Sequence, residues 1–385
     1  MTTQATLGGE TNAGGQVLYM ALELSDRWWQ VLFASGGGKR RAVTVAARDL
    51  DGLTGAMADA RRRLGLSEEA RVVSCYEAGR DGFWLDRALK AQGIESLVVD
   101  SSSIEVPRRM RRKKTDRLDL GKLMGLLLRW AGGERGAWSV VRVPGMEAED
   151  VRQLSRSIER LKCERGRHRS RIKSLLVLHG LKLIRIGGRG WAERVAQLRM
   201  WDGAPLGRFL QRDLMLEGER LALAEQQLCE LKAEREELVA KSDLAAAVKA
   251  RRLCALGAVA AESSFVFATE LFGWRSFANR RELAGSVGLV PTPYASGESR
   301  REQGLSKAGN RRMRTMLIEI AWCWLRYQPG SALSRWWQGR FASSGGRARK
   351  VAIVALARKL LVALWRYVEH GIVPQGATLK TRAVT

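Results

Sequence analysis

Between Val17 and Trp130 the apolar residues change their spacing in a set order, and that order restricts the possible folds more than any other feature of the chain. Val17–Glu23, Trp29–Ser35 and Ala42–Ala46 are short apolar runs, with Gly36-Gly37-Gly38-Lys39 between the last two. They read as three consecutive antiparallel strands. Residues 48–65 place Leu50, Leu53, Met57, Ala60 and Leu64 at helical spacing. Arg71–Tyr76 is a fourth apolar run, ending at Glu77. A second helix is expected over about 82–93, a fifth strand over Ser96–Asp100, and a third helix from Asp116 to Trp130.

The order β-β-β-α-β-α-β-α matches the RNase H-like (RuvC-like) nuclease fold. In such a sheet strands 1 and 4 lie side by side, so Glu23 and Glu77 fall near one end. Asp116 and Asp119, three apart at the start of a helix, share one face. Four carboxylates gathered there would repel one another unless divalent cations bound between them. A pair of Mg²⁺ ions roughly 4 Å apart is the arrangement that binds the attacking and leaving oxygens of a phosphodiester. Taken singly, each acid has an ordinary alternative. Asp116 and Asp119 suit a helix N-terminus, Glu23 a strand end, and Glu77 the turn before Ala78-Gly79.

The acids stand beside bases. Arg108, Arg109, Arg111, Arg112, Lys113 and Lys114 fall in the eight residues before Thr115. Over the whole chain 66 Lys and Arg face 40 Asp and Glu, a formal net charge of +26. Such an excess implies a polyanionic partner, nucleic acid before a membrane surface, because the bases are spread along the chain. A helix over 147–178 carries Val151, Leu154, Ile158, Leu161, Ile172, Leu175 and Leu176 on its apolar face. Its Arg165, Arg167, Arg169, Arg171 and Lys173 have no acid after Glu164 to balance them, which suits phosphates better than a solvated face. A second long helix, 206–241, repeats Leu214, Leu221, Leu228 and Ala224, Leu231, Leu238 every seven residues. That pattern is a short antiparallel or dimeric coiled coil, or a helix folded back on 147–178.

Five separated cysteines without a CxxC, and only three histidines, argue for buried reduced thiols in the cytosol and against a zinc site. No run of 18 apolar residues is present and no signal pattern opens the chain, so a membrane partner is not expected. The expected organisation is a disordered tail (1–16), an α/β domain (17–131), a Gly/Pro-containing linker, a helical coiled-coil region (147–242), and a mostly helical domain (247–375). In the last of these, two short helices span 247–272 and longer ones about 311–327 and 348–369. Between them Ser296-Gly297 reads as a polar loop. Arg300, Arg301, Lys307, Arg311 and Arg312 follow closely enough to clamp a phosphate. Serine is a weak nucleophile until activated, and an ordinary Ser-Gly turn is the alternative.

Across residues 17–370 the chain resembles a family. Tyr76-Glu77-Ala78-Gly79, Lys114-Thr115-Asp116-Arg117-Leu118-Asp119, Gly288-Leu289-Val290-Pro291, Tyr294-Ala295-Ser296-Gly297 and Ser306-Lys307-Ala308-Gly309-Asn310 carry the resemblance. It is to insertion-sequence transposases with an N-terminal DEDD domain and a C-terminal serine-bearing transposase domain, understood as bridge-RNA-guided recombinases. The resemblance implies that Glu77, Asp116 and Asp119 bind metal and that Ser296 attacks DNA to form a transient phosphoserine link. It also implies a homo-oligomer whose halves meet across subunits, and a structured guide RNA that pairs with donor and target DNA. One position departs from the pattern. The first-strand acid is normally Asp, and Glu23 stands here, its carboxylate one methylene further out. The competing expectations are an RNase H-like nuclease or junction resolvase that does not use Ser296, and a decayed copy that binds nucleic acid without cutting it.

Overall fold

Val17–Glu23 (β1) is apolar at almost every position because it is covered on both faces, as expected of an interior strand. The computed structural model describes residues 16–79, 81–104, 116–182, 184–296, 299–306 and 309–380; for 102, 116–119, 292–296 and 299–303 it describes the backbone alone. The basic segment Arg108–Lys114 and Lys307 lie outside the described residues, as do residues 1–15 of the expected tail. The chain divides into two compact units, meeting in sequence at Val143 and Pro144.

In the first unit β1 pairs antiparallel with Trp28–Ser35 (β2), and β2 with Arg40–Ala46 (β3). On its other side β1 runs parallel to Arg71–Glu77 (β4), and β4 to Glu95–Val99 (β5). The sheet order is β3-β2-β1-β4-β5. Leu18, Met20, Leu22, Val72 and Tyr76 point into one core with Leu50–Leu64 (α1) and Trp84–Ala91 (α2). Ala21, Val73, Cys75, Leu97 and Val99 point the other way, into a core with Asp116–Ala131 (α3). The expected element order and the pairing of strands 1 and 4 are both present. The linker expectation is corrected in part. Ala137 and Trp138 are buried in the α3 core, and Val140 bridges Val99, because the returning chain covers the edge of β5.

The second unit is mostly helical. Met146–Leu178 (α4) and Arg208–Lys241 (α6) pack antiparallel, with Val151 near Leu238 at one end and Ile172 and Leu176 near Leu214 and Leu221 at the other. The heptads of α6 are thus filled from within the chain. Trp191–Ala196 (α5), not expected from sequence, presses its indole onto α6 and donates to the Leu214 carbonyl at 3.1 Å. A Cβ at Gly218 would stand 2.0 Å from that indole nitrogen, so the approach requires glycine. Ala245–Cys254 (α7), Ala261–Phe267 (α8), a π-helical turn at Ala268–Phe272 and Arg280–Ser286 (α9) follow. Arg311–Tyr327 (α10), Ala332–Phe341 (α11) and Gly346–His370 (α12) complete the bundle. Leu356, Leu360 and Leu364 of α12 are fully buried at its centre, each contributing about 2 kcal/mol by transfer from water.

Three expectations need correction. Ser296 does not lie in an irregular loop: Pro291–Ser296 (β6) and Ser299–Leu305 (β7) form an antiparallel hairpin. Each strand of a two-stranded ribbon has a free edge, so Pro291 and Pro293 do not prevent pairing. α11 was also missed. Of the five cysteines, all without disulfides, only Cys75 is buried; Cys163, Cys229 and Cys323 are exposed on helix surfaces. No described helix is long and apolar enough to cross a membrane.

Candidate active site

Parallel pairing decides where the strand-end acids go. The β1–β4 register ends at Leu22 beside Tyr76, so Glu23 and Glu77 are the next residues at the same end of adjacent strands. Alternation along each strand assigns both to the α3 side, the face of Ala21 and Cys75 rather than of Leu22 and Tyr76. α3 lies on that face, with the Leu123 carbonyl 3.9 Å from Cys75 Sγ. Asp116 and Asp119 open the same helix, about two turns and one turn before Leu123. Their side chains lie outside the description. Among the described residues no three Asp, Glu, His or Cys gather as a metal group. Asp26 lies beyond the strand in the turn to β2, 4.0 Å from Arg48.

Tyr76 is a residue whose role sequence reasoning did not assign. It is fully buried, and its hydroxyl donates to the Gly82 carbonyl and accepts from the Asp86 amide, both at 3.2 Å. Burial pushes its pKa well above the ordinary phenol value, so it remains a donor. Together with the Ala78 amide bonded to the Val99 carbonyl at 2.8 Å, it fixes the chain leaving Glu77.

In the second unit Ser296 pairs with Ser299 at the tip of the hairpin, at the ends of β6 and β7. Gly297 and Glu298 of the turn, and the side chains of Ser296, Arg300 and Arg301, lie outside the described residues. The base of the hairpin is anchored. The Ser306 amide donates to the Val290 carbonyl at 2.9 Å, and the Asn310 amide to the Ser286 carbonyl at 3.1 Å. Gly309 has φ +89°, and a Cβ there would meet the Ser286 oxygen at 2.4 Å. Asn310 caps α10 by accepting from the Met313 amide at 3.2 Å.

A buried carboxylate supports this base. Glu270, on the π-helical turn, is only 4 % exposed. It meets Arg152 at 3.4 Å, Arg156 at 3.2 Å and Arg312 at 3.8 Å, and accepts from the side-chain Nδ2 of Asn310 at 3.5 Å. Burial pushes the Arg152 guanidinium below its ordinary pKa, and Glu270 opposes that shift. Arg312 also reaches Glu159 at 3.5 Å and the Ser155 carbonyl at 3.3 Å. Arg312 is thus engaged inside the unit, while Arg311 is exposed. Glu270 sits in the apolar run Phe265–Phe272 and had no local signal; Asn310 was legible as a helix cap.

The basic face of α4 also meets acids from another helix. The acids missing from α4 come from α6: Glu225 pairs with Arg169 at 2.6 Å, and Asp213 with Arg171 at 3.5 Å. Arg165, Arg167 and Lys173 have no such partner among the described residues. Glu217, 4 % exposed, meets His168 and Arg220, both at 2.7 Å. Burial pushes its carboxyl up, but the hydrogen bonds from His168 and Arg220 outweigh this and leave it below the ordinary value. A lowered folded pKa stabilises above the unfolded carboxylate value, about 4.3, and this contribution is lost as pH falls below it. The stability gap between wild type and Glu217→Gln should therefore close on acidification from about pH 5 to pH 3. Thermal melts across that range check this; a gap independent of pH would contradict it.

A chain with an α/β unit carrying acids at one end of its central strands, and a helical unit bearing an anchored Ser hairpin, has transposases as its relatives. Residues 250–336, which include the hairpin and α10, match the model described as "Transposase IS116/IS110/IS902 family". The chain is 41 % identical over 376 residues to y4rJ of Sinorhizobium fredii, named as a transposase, covering 94 % of this chain and 95 % of that one. It is 30 % identical over 366 residues to y4qE of the same organism, also named as a transposase, covering 88 % and 81 %. It is also 30 % identical over 149 residues to the "Transposase for insertion sequence element IS1328" of Yersinia enterocolitica, covering 38 % and 43 %. The chain belongs to the IS116/IS110/IS902 family of insertion-sequence transposases.

Proposed function

We propose that this transposase cuts and rejoins donor and target DNA through a phosphoserine intermediate at Ser296, guided by a structured RNA. The observation that carries the reading is the hairpin: Ser296 stands at the tip of a β-ribbon whose base is pinned by Ser306, Gly309, Asn310 and the Glu270 cluster. A nucleophile that must reach a phosphodiester needs a rigid support and an accessible end. The Ser296 hydroxyl oxygen attacks phosphorus, the phosphodiester bond to the leaving DNA oxygen breaks, and that oxygen takes up the proton serine gives up. In the return step a DNA hydroxyl attacks the phosphoserine and releases Ser296. Arg300, Arg301, Lys307 and Arg311 are proposed to hold the DNA phosphates, and Arg165, Arg167 and Lys173 the backbone of guide RNA or DNA, with Arg108–Lys114.

The first unit is read as an RNase H-like DEDD domain, which the sheet order and the parallel β1–β4 pair support. Its donor set fits Mg²⁺: Glu23 and Glu77 bring hard carboxylate oxygens to one face at the same end of two adjacent strands, with Asp116 and Asp119 as the remaining proposed ligands. When bound, Mg²⁺ supplies Lewis-acid polarisation of a phosphodiester. A homo-oligomer is also part of the reading. Phe209, Leu216 and Leu223 form an exposed apolar stripe seven residues apart on the outer face of α6, and sedimentation of a Leu223→Lys variant tests it.

Junction formation on a plasmid carrying donor and target sites, with and without the RNA flanking the element, tests the function. Wild type should form junctions only with the RNA and Mg²⁺, and Ser296→Ala should form none. Junctions formed by Ser296→Ala would remove Ser296 from the chemistry and overturn the phosphoserine reading.

A further inference from the structure

Beyond Glu319, the outer surface of α10, with those of α11 and α12, takes no part in the chemistry above. Between Glu319 and Glu369 the chain holds nine Lys and Arg and no Asp or Glu. Aromatic rings are interleaved with these cations. Trp322 of α10, 42 % exposed, sets its ring 6.1 Å from Trp337 of α11 at an edge-on 71°. On the same helix Trp336 packs 5.8 Å from Phe341. Lys359 Nζ of α12 stands 4.6 Å over the Trp336 ring, with Arg340 5.8 Å from it, and Arg349 lies 5.8 Å over Trp337.

We propose that this aromatic–basic surface binds an unpaired DNA strand, with a base stacking on the exposed Trp322 and phosphates held by Arg340, Arg349 and Lys359. A stretch with no acid of its own suits a polyanion. An exposed ring, Trp322, beside the half-buried Trp336 and among cations suits a single strand rather than a duplex, because only unpaired bases offer their faces for stacking. Trp322 is held at a fixed angle by Trp337, so little conformational freedom is lost when a base stacks on it. The inference rests on the DNA substrate of the proposed function, but not on Ser296 or the strand-end acids.

Fluorescence anisotropy with the full chain tests it, using a labelled mixed-sequence single strand, its duplex, and RNA of the same sequence. Trp322→Ala should weaken single-strand binding by roughly 10-fold and leave duplex binding unchanged. Arg340→Ala/Arg349→Ala/Lys359→Ala should make the salt dependence of single-strand binding shallower by about 2 in log–log slope. Photocrosslinking with iododeoxyuridine in the single strand should map to residues 320–368. Unchanged binding in both variants, equal losses on strand and duplex, losses seen only with RNA, or crosslinks lying wholly elsewhere would each overturn the proposal. Because these are binding measurements, failure of the Ser296 chemistry leaves their outcome untouched.

Discussion

Replacing Glu270 by alanine should destabilise the C-terminal unit by about 3–5 kcal/mol, lowering its melting temperature by on the order of 10 °C. The magnitude follows from what is left behind. Arg152, only 10 % exposed at its side chain, loses the acid it is hydrogen-bonded to, while Arg156 and Arg312 lose a shared partner. An unpaired buried guanidinium costs more than the ion pair contributed, because it keeps its desolvation penalty and loses the attraction that offset it. Arg152 has little room to escape, since it also stacks 4.9 Å over the Trp274 ring. The double replacement Glu270→Leu/Arg152→Met removes both charges and should recover much of the loss. A Glu270→Ala melt within about 1 kcal/mol of wild type would show that the cluster is solvated and dispensable.

Glu77→Gln should reduce Mg²⁺-dependent strand exchange by about a thousandfold, close to 4 kcal/mol of barrier, and leave the fold intact. The amide is nearly isosteric, and Glu77 is exposed at the end of β4 with no core contact to lose. Exchange rates over a Mg²⁺ titration, with melting temperature as the control, check this. An exchange rate within tenfold of wild type would remove Glu77 from the proposed metal-binding acids.

The first unit was legible because its physics is local and repeated. Short apolar runs, helical spacing at Leu50–Leu64 and acids at strand ends survive in sequence, and the β-β-β-α-β-α-β-α order points to a central β1 between β2 and β4. The second unit was less legible for specific reasons. The β6–β7 hairpin pairs only with itself, so no alternation marks it, and Pro291 and Pro293 argue for a loop. The heptads of α6 look alike whether their partner is α4 or a second chain; only the tertiary fold shows Leu214 and Leu221 packed with Ile172 and Leu176. The acids facing Arg169 and Arg171 are more than forty residues away in sequence, and Glu270 lies over a hundred residues from Arg152. Long-range electrostatic pairing leaves no periodicity to read.

The most direct test of the central claim is a covalent-trapping gel. Purified protein, RNA from the flanking element and a labelled donor-junction DNA are combined with Mg²⁺, denatured and resolved. Wild type should give a protein–DNA adduct that is absent in Ser296→Ala and in Asp116→Ala. Cleavage of the DNA without any adduct would contradict that claim, and would assign the chemistry to hydrolysis at the acidic edge alone.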